Sequence, residues 1–252
     1  ARLHQTEETP DTQYLNNEFL SPRLAPRSLD TFIVRTEILK ALKQVIPKMK
    51  GKLLDVGCGK MPYKPLLLSP TTNIQEYIGL DLEDTFHAKF LKPDLVWKGD
   101  KIPLENNSVD CAMATEVFEH CPEPEVVMKE IVRVLKPGGL LFFTVPFLWN
   151  LHEVPYDEYR YTPFALKRHL HNSGFSQVDL YAMGGWDEAL AQMLGLWVRR
   201  RFANRGRKQK LLRELLSSVL LPIFKYLYDK DAPPQEFREG KMITGLTGTA
   251  IV

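Results

Sequence analysis

Leu53-Leu54-Asp55-Val56-Gly57-Cys58-Gly59 is the stretch on which the reading of this chain turns. An apolar run, expected as a strand over Lys52–Val56, ends in two glycines at i and i+2. Glycine there lets a turn approach a ligand with no Cβ in the way. A dinucleotide fingerprint would place a third glycine three residues after Gly59, where Pro62 stands. A phosphate loop would need Gly-Lys-Ser/Thr, which is absent. The turn is therefore not read as a pyrophosphate cradle. Asp55, just before the glycines, puts a carboxylate at the strand's C-terminal edge, better matched to a cationic amino group than to a phosphate.

Outward from this turn, strand and helix signals alternate. Upstream, Ser28 or Asp30 is the expected cap of a helix running to about Ile46, with Ile33, Leu39, Leu42 and Ile46 inward. Downstream, strands are expected at Tyr77–Asp81, Val109–Thr115, Leu140–Val145, Phe175–Met183 and Met242–Val252. Helices are expected at Glu123–Leu135, stopped by Lys136-Pro137-Gly138-Gly139, and at Pro163–Asn172. The strands are continuous apolar runs, the pattern of a parallel sheet covered on both faces, and their alternation with helices implies a doubly wound α/β fold. Residues 1–27 are polar and proline-punctuated and read as an arm or cap with little regular structure, ahead of one domain over 28–252.

With 252 residues, 44% apolar and 25% charged, the chain is an ordinary globular length and composition, and a net charge of +2 does not by itself imply a polyanionic partner. Its three cysteines, Cys58, Cys111 and Cys121, have no metal-like spacing and suit a reducing compartment. No apolar run is long enough to span a membrane and no apolar signal core opens the chain, so a cytoplasmic location is expected.

Further motifs follow in order: Gly79-x-Asp81, Gly99-Asp100, Asp110, Glu116-x-x-Glu119-His120 and Leu135-Lys136-Pro137-Gly138-Gly139. Together with Asp55-x-Gly57-x-Gly59, the series resembles the class I S-adenosylmethionine-dependent methyltransferases, in their small-molecule type 11 branch, over about residues 50–183. The resemblance implies a Rossmann-like, mostly parallel seven-stranded sheet and bound S-adenosylmethionine. It places Asp55 toward the methionine amino group through the Gly57-Cys58-Gly59 turn with Tyr63 nearby. Asp81 and Leu82 fall at the ribose, Asp100 and Lys101 at the adenine, and Thr115 and Glu116 near the sulfonium. Many relatives carry glycine where this chain has Met61, so its cofactor loop is a variant one.

Methyl transfer from a sulfonium needs alignment, and a base where the nucleophile must lose a proton. Candidates are Glu119 and His120 after the fourth strand, and a loop after the fifth holding His152, Tyr156, Asp157, Tyr159 and Arg160. That loop is similar to one found in methyltransferases among cell-surface polysaccharide enzymes. Glu119, His120 and His152 are expected as catalytic groups, and His152, Tyr156, Asp157, Tyr159 and Arg160 as acceptor contacts. The plainer alternatives are that Glu119-His120 only caps a helix, that Tyr159 and Tyr161 only pack, and that Arg160 pairs with Asp157. Glu-x-x-Glu-His also resembles the metal site of RNA 3′-end and some quinone O-methyltransferases, with His152 as a further ligand, but no metal is assigned. The expected activity is O-methylation of a small molecule or glycan, with a catalytically silent binding module as the alternative from another class.

Residues 186–228 interrupt the strand–helix rhythm before the last strand and read as two amphipathic helices, the second broken by Pro222. Arg199, Arg200, Arg201, Arg205, Arg207, Lys208, Lys210 and Arg213 cluster within them. The insertion is read as a lid whose leucines are packed and whose cations face outward. Contact with anionic lipid or a lipid-linked acceptor is the competing reading. Nucleic acid is disfavoured because aromatics are sparse among the arginines.

Overall fold

Leu53 and Leu54 are neighbours in sequence and fully buried, yet they belong to different cores, because successive strand residues point to opposite faces. That alternation is what a sheet with helices on both sides requires. The computed structural model describes residues 16–83, 92–201 and 206–252. Its chain order is α1 (Phe32–Val45), β1 (Lys50–Val56), α2 (Lys64–Leu67), β2 (Asn73–Leu82), β3 (Leu95–Trp97), β4 (Val109–Thr115), α3 (Pro124–Val134), β5 (Leu135–Pro146), α4 (Pro163–Ser173), β6 (Gln177–Met183), α5 (Trp186–Arg200), α6 (Gly206–Lys230) and β7 (Gly245–Ile251).

The seven strands lie in the order β3-β2-β1-β4-β5-β7-β6. The pairings are parallel apart from those of β7, which is antiparallel to both of its neighbours. The order reverses direction between β1 and β4, and ligands of open α/β sheets sit outside the strand C-termini at such a switch. One face of the sheet is covered by Val127, Met128 and Ile131 of α3 and Leu166 and Leu170 of α4. The other is covered by Ile38, Leu39 and Leu42 of α1. Each fully buried aliphatic side chain contributes about 1.5–3 kcal/mol relative to exposure.

Several expectations need correction. The three-residue strand β3 was not located in advance, since Leu95-Val96-Trp97 is too short to carry a period. Lys136-Pro137-Gly138-Gly139 does not stand between helix and strand but begins β5, and a register irregularity between Val109 and Cys111 absorbs it. Neither Ser28 nor Asp30 caps α1. Thr31 occupies that position without a side-chain bond, while Asp30 pairs with Arg200 at 2.8 Å. Pro222 does not break α6, which runs through it. Pro222 is exposed, so the hydrogen bond it removes lies on the side where water can replace it. Of the segment expected to lack structure, residues 1–15 lie outside the described residues. Asn16–Leu20 forms a short π-helical turn and Pro26–Ser28 a 3₁₀ turn.

The leucines between β6 and β7 are not all packed. Phe224 is buried against Leu29, Phe32 and Ile33, with the half-buried Leu216, Leu220, Leu221 and Leu227 packed on the same cluster. Leu211, Leu212 and Leu215 are exposed. The basic cluster is divided too, since Arg199 and Arg213 both pair with Glu214.

α5 approaches the N-terminal segment closely at Gly195, where an added Cβ would lie 2.1 Å from the Leu29 carbonyl oxygen. In an exposed helix Gly→Ala stabilises by about 0.5–1 kcal/mol. Here overpacking against backbone, at about 1–3 kcal/mol, exceeds that gain. Gly195→Ala should therefore lower the thermal midpoint, and a raised midpoint would contradict the close approach.

Candidate active site

Gly57, at φ +66°, ends β1 in the left-handed conformation, and a Cβ on it would lie 2.7 Å from a Val117 methyl. Gly59 at φ +51° and Met61 at φ +49° continue the turn. Position 61 thus has the glycine-like backbone expected of its relatives, borne by a buried methionine.

Two carboxylates frame this turn. Asp81, at the end of β2, accepts the Gly59 amide through Oδ2 at 3.0 Å and the Leu82 amide through Oδ1 at 2.8 Å. Asp55 is 2% exposed. The Tyr77 hydroxyl donates to its Oδ2, while Oδ1 has no partner. Burial pushes the Asp55 pKa up to about 7 against the lowering effect of Tyr77, and the nearby Asp81 charge adds to the rise. A buried carboxylate oxygen without a donor is a site for a cation, and the amino group of S-adenosylmethionine supplies one. The pocket therefore fits the cofactor that the sequence implies.

Other expected cofactor residues gather at the same edge. Cys58 is buried, and its amide donates to the Leu80 carbonyl at 3.0 Å. Asp100 and Lys101 are exposed in the loop after β3. Gly99 stands against Leu82, the distance from its Cβ position to Leu82 Cδ2 being 3.7 Å. Thr115 ends β4, and Glu116 follows at φ +56° and accepts the Thr144 hydroxyl at 2.9 Å.

Sequence reading missed Arg35. Its guanidinium lies 3.6 Å over the Phe19 ring, which meets Tyr63 edge-on at 5.9 Å. Its charge also lowers the pKa of Glu116, which burial raises. The N-terminal segment and α1 thus wall the cofactor turn. Tyr77 was also missed, although a tyrosine inside a buried strand must find a hydroxyl partner, and that was a usable signal.

The acceptor candidates converge beside Glu116. Glu119 is fully buried, and neither of its carboxylate oxygens has a hydrogen-bond partner. Burial, then the charge of Glu116, raises its pKa well above the usual range. Its backbone carbonyl accepts the Glu158 and Tyr159 amides at 2.9 and 3.1 Å, tying the loop after β5 to the end of β4. His120 and His152 meet edge-to-face with centroids 4.7 Å apart. His120 Nδ1 lies 2.9 Å from the Tyr156 carbonyl. A carbonyl only accepts, so Nδ1 carries the hydrogen and Nε2 of the neutral ring keeps its lone pair. Nε2 faces Glu119 at 3.7 Å and Glu153 at 4.0 Å. Burial, then His120, lowers the His152 pKa and favours its neutral form. Glu119, His120 and His152 can each direct one ligand atom into a group spanning no more than 4.8 Å, which could hold a divalent ion.

The remaining loop residues hold one another. Arg160 binds Asp157 through two bonds of 2.7 and 2.9 Å, and Asp157 Oδ2 also accepts the His152 amide at 3.1 Å. Arg160 thereby holds the Asp157 carboxyl down at about 2. Tyr159 stacks on Tyr161 at 5.2 Å and donates to the Pro122 carbonyl at 3.0 Å. Tyr156 is exposed. Asp157, Tyr159 and Arg160 thus make the packing and pairing contacts named among the plainer alternatives, and Asp157 holds the His152 backbone.

The raised pKa of Asp55 gives a signed pH dependence. Its anion, which would pair with the cofactor's amino group, predominates only above about pH 7. Affinity for S-adenosylhomocysteine should therefore weaken about tenfold from pH 8 to pH 6, and Asp55→Asn should flatten the profile. In the apo protein the sign is opposite, because ionising this buried acid costs stability as pH rises from its ordinary value toward about 7. Calorimetric titration at several pH values measures the first effect. A flat profile for the unsubstituted chain would contradict the assignment.

Comparison with known proteins agrees with this geometry. Residues 54–143 match the family described as a methyltransferase domain. A rat thiol S-methyltransferase is 29% identical over 36% of this chain and 41% of its own length. A malonyl-[acyl-carrier protein] O-methyltransferase of Alcanivorax borkumensis is 28% identical over 52% of this chain and 48% of its own. The chain thus spans less than half the length of these relatives. A methyltransferase from Thermotoga maritima shares the fold at TM-score 0.55 and 15% identity, over 88% of this chain and 91% of that one. The S-adenosylmethionine complex of a Haemonchus contortus phosphoethanolamine N-methyltransferase shares it at TM-score 0.53 and 17% identity, over 98% and 58%. The match of residues 54–143 to a methyltransferase domain, and a sheet order on a fold shared with solved S-adenosylmethionine-dependent methyltransferases, support the class I, type 11 methyltransferase that the sequence resembles.

Proposed function

We propose that this chain methylates an oxygen nucleophile on a small-molecule or glycan acceptor seated between the end of β4 and the loop after β5. The observation that carries the reading is His120, whose Nδ1–H is committed to the Tyr156 carbonyl so that Nε2 is free to take a proton. When bound, S-adenosylmethionine supplies a methyl group already activated on a sulfonium, so the protein's part is alignment and proton removal. His120 Nε2 accepts the acceptor hydroxyl's proton as the oxygen attacks. The imidazolium that forms is then stabilised by the exposed carboxylate of Glu153 at 4.0 Å, while Glu119, at 3.7 Å, is pushed toward its neutral form by burial. Relatives bear the names of thiol S-, malonyl O- and sterol C-methyltransferases, so the domain alone does not select the methylated atom. The choice of oxygen rests on a base being present.

A second reading is favoured by the grouping of Glu119, His120 and His152, in which a divalent ion would lower the pKa of the acceptor hydroxyl instead.

His120→Asn should lower kcat by about 10²–10⁴-fold while leaving affinity for S-adenosylhomocysteine unchanged. Transfer would be followed across glycan, quinone and RNA acceptors, and a loss of only a few-fold would remove His120 as the base. Activity should survive excess chelator. Abolition by chelator and restoration by Mn²⁺ would replace the base reading with the metal one. Cofactor binding with no transfer to any acceptor would leave a silent binding module.

A further inference from the structure

α6 is amphipathic in an unusual sense, because both of its long faces are apolar. Phe224 and its neighbours face the protein. On the other side Leu211, Leu215, Val219, Ile223 and Tyr226 follow one another at three- and four-residue spacing. They are 73%, 59%, 58%, 49% and 63% exposed. α5 packs against α6 and carries its own outward stripe, with Leu190, Met193 and Trp197 exposed at the same helical spacing. Isolated exposed leucines are ordinary, but an exposed apolar stripe on each of two adjacent helices is not.

Charge selects the occupant. Between Leu211 and Tyr226 the acidic side chain is Glu214, which is tied to Arg199 and Arg213, and Asp229 beyond them pairs with Lys225. Cations gather where the two helices approach each other in sequence. Arg201 at the end of α5 and Arg207, Lys208 and Lys210 at the start of α6 are all exposed. A second copy docking through this face would bring the same cations, with Glu214 and Asp229 already paired to its own cations, whereas a two-fold interface must complement itself. An anionic lipid surface offers both partners, acyl chains for the stripes and headgroup phosphates for the cations, and Trp197 is of the type that favours that boundary. Among the described residues no helix is long and apolar enough to cross a membrane. A helix of this kind lies in the interface.

We infer that the α5–α6 hairpin is a peripheral membrane-binding surface for anionic lipid, with the outer stripe of α6 inserted among the headgroups and the basic ends of the two helices on the phosphates. The inference does not depend on which atom the enzyme methylates.

Co-sedimentation of the full chain with phosphatidylcholine vesicles, with and without phosphatidylglycerol, tests it. Binding should be at least about tenfold stronger with the anionic lipid. Lys208→Glu/Lys210→Glu should weaken it at least about tenfold, as should Leu215→Asp/Val219→Asp. These side chains are exposed, so both variants should keep the native thermal midpoint and affinity for S-adenosylhomocysteine. Absence of binding to anionic vesicles by the folded native chain would overturn the inference. Vesicle binding that Leu215→Asp/Val219→Asp leaves intact would overturn insertion of the stripe. A concentration-dependent dimer that this same variant dissolves, without vesicle binding, would assign the face to a second copy instead.

Discussion

The carboxylate of Asp55 is the constraint on which the cofactor side of this molecule depends. It stands at the buried end of β1, with one oxygen bound by Tyr77 and the other without a donor. A charge in that position costs several kcal/mol unless a partner compensates it. The cost explains several neighbouring features together. Tyr77 points inward from β2 to supply one hydrogen bond, and the glycine turn leaves room for a ligand to supply the rest. Asp81 anchors the same turn through the Gly59 amide. Binding of a cationic ligand and relief of a buried charge are then one event, so the site is held ready by an unfavourable feature of the apo protein.

The acceptor side repeats the device with a difference. Glu116 and Glu119 are both raised by burial, and the charge of the first adds to the rise of the second. The charges of Arg35 and Arg160 lower the Glu116 pKa against the larger effect of its burial. A site with two such groups responds strongly to any proton or cation that arrives. Asp157 and Arg160 satisfy each other and hold the His152 backbone, leaving the two imidazoles and Glu119 as the reactive members.

What the sequence disclosed followed from periodicity and from glycine. Apolar runs between helices were enough for the sheet, because strands buried on both faces need continuous apolar sequence. Gly57 and Gly59 were legible because a ligand-approaching turn excludes other residues. Arg35 was not legible, since its role depends on where α1 packs in the fold, and an arginine on a helix that also carries Glu37, Lys40 and Lys43 looks like any surface charge. The pairing of Asp157 with Arg160 was foreseen only as an alternative, because spacing alone cannot say whether a polar loop faces inward to itself or outward to a substrate. The helical segment before β7 was the hardest to read. Sequence shows that α6 is rich in leucine, but only the fold shows which leucines find partners.

That segment is also tied to the active site by contacts that no pattern announces. Gly195 of α5 sits against the Leu29 carbonyl, Gln192 donates to the Asp30 carbonyl at 2.9 Å, and Arg200 binds the Asp30 carboxylate. Phe32, at the start of α1, meets Phe224 and Tyr228 of α6 edge-on at 6.3 and 5.0 Å. One turn further along α1, Arg35 reaches over Phe19 beside the cofactor turn. The hairpin and the wall of the site are therefore parts of one packed unit, and packed interiors transmit displacement rather than absorb it. A surface that engages the outer stripe of α6 bears on the same helix that carries Arg35. The inner half of the hairpin is thus required for the fold, while its outer half, which nothing in the fold requires, is left for a partner.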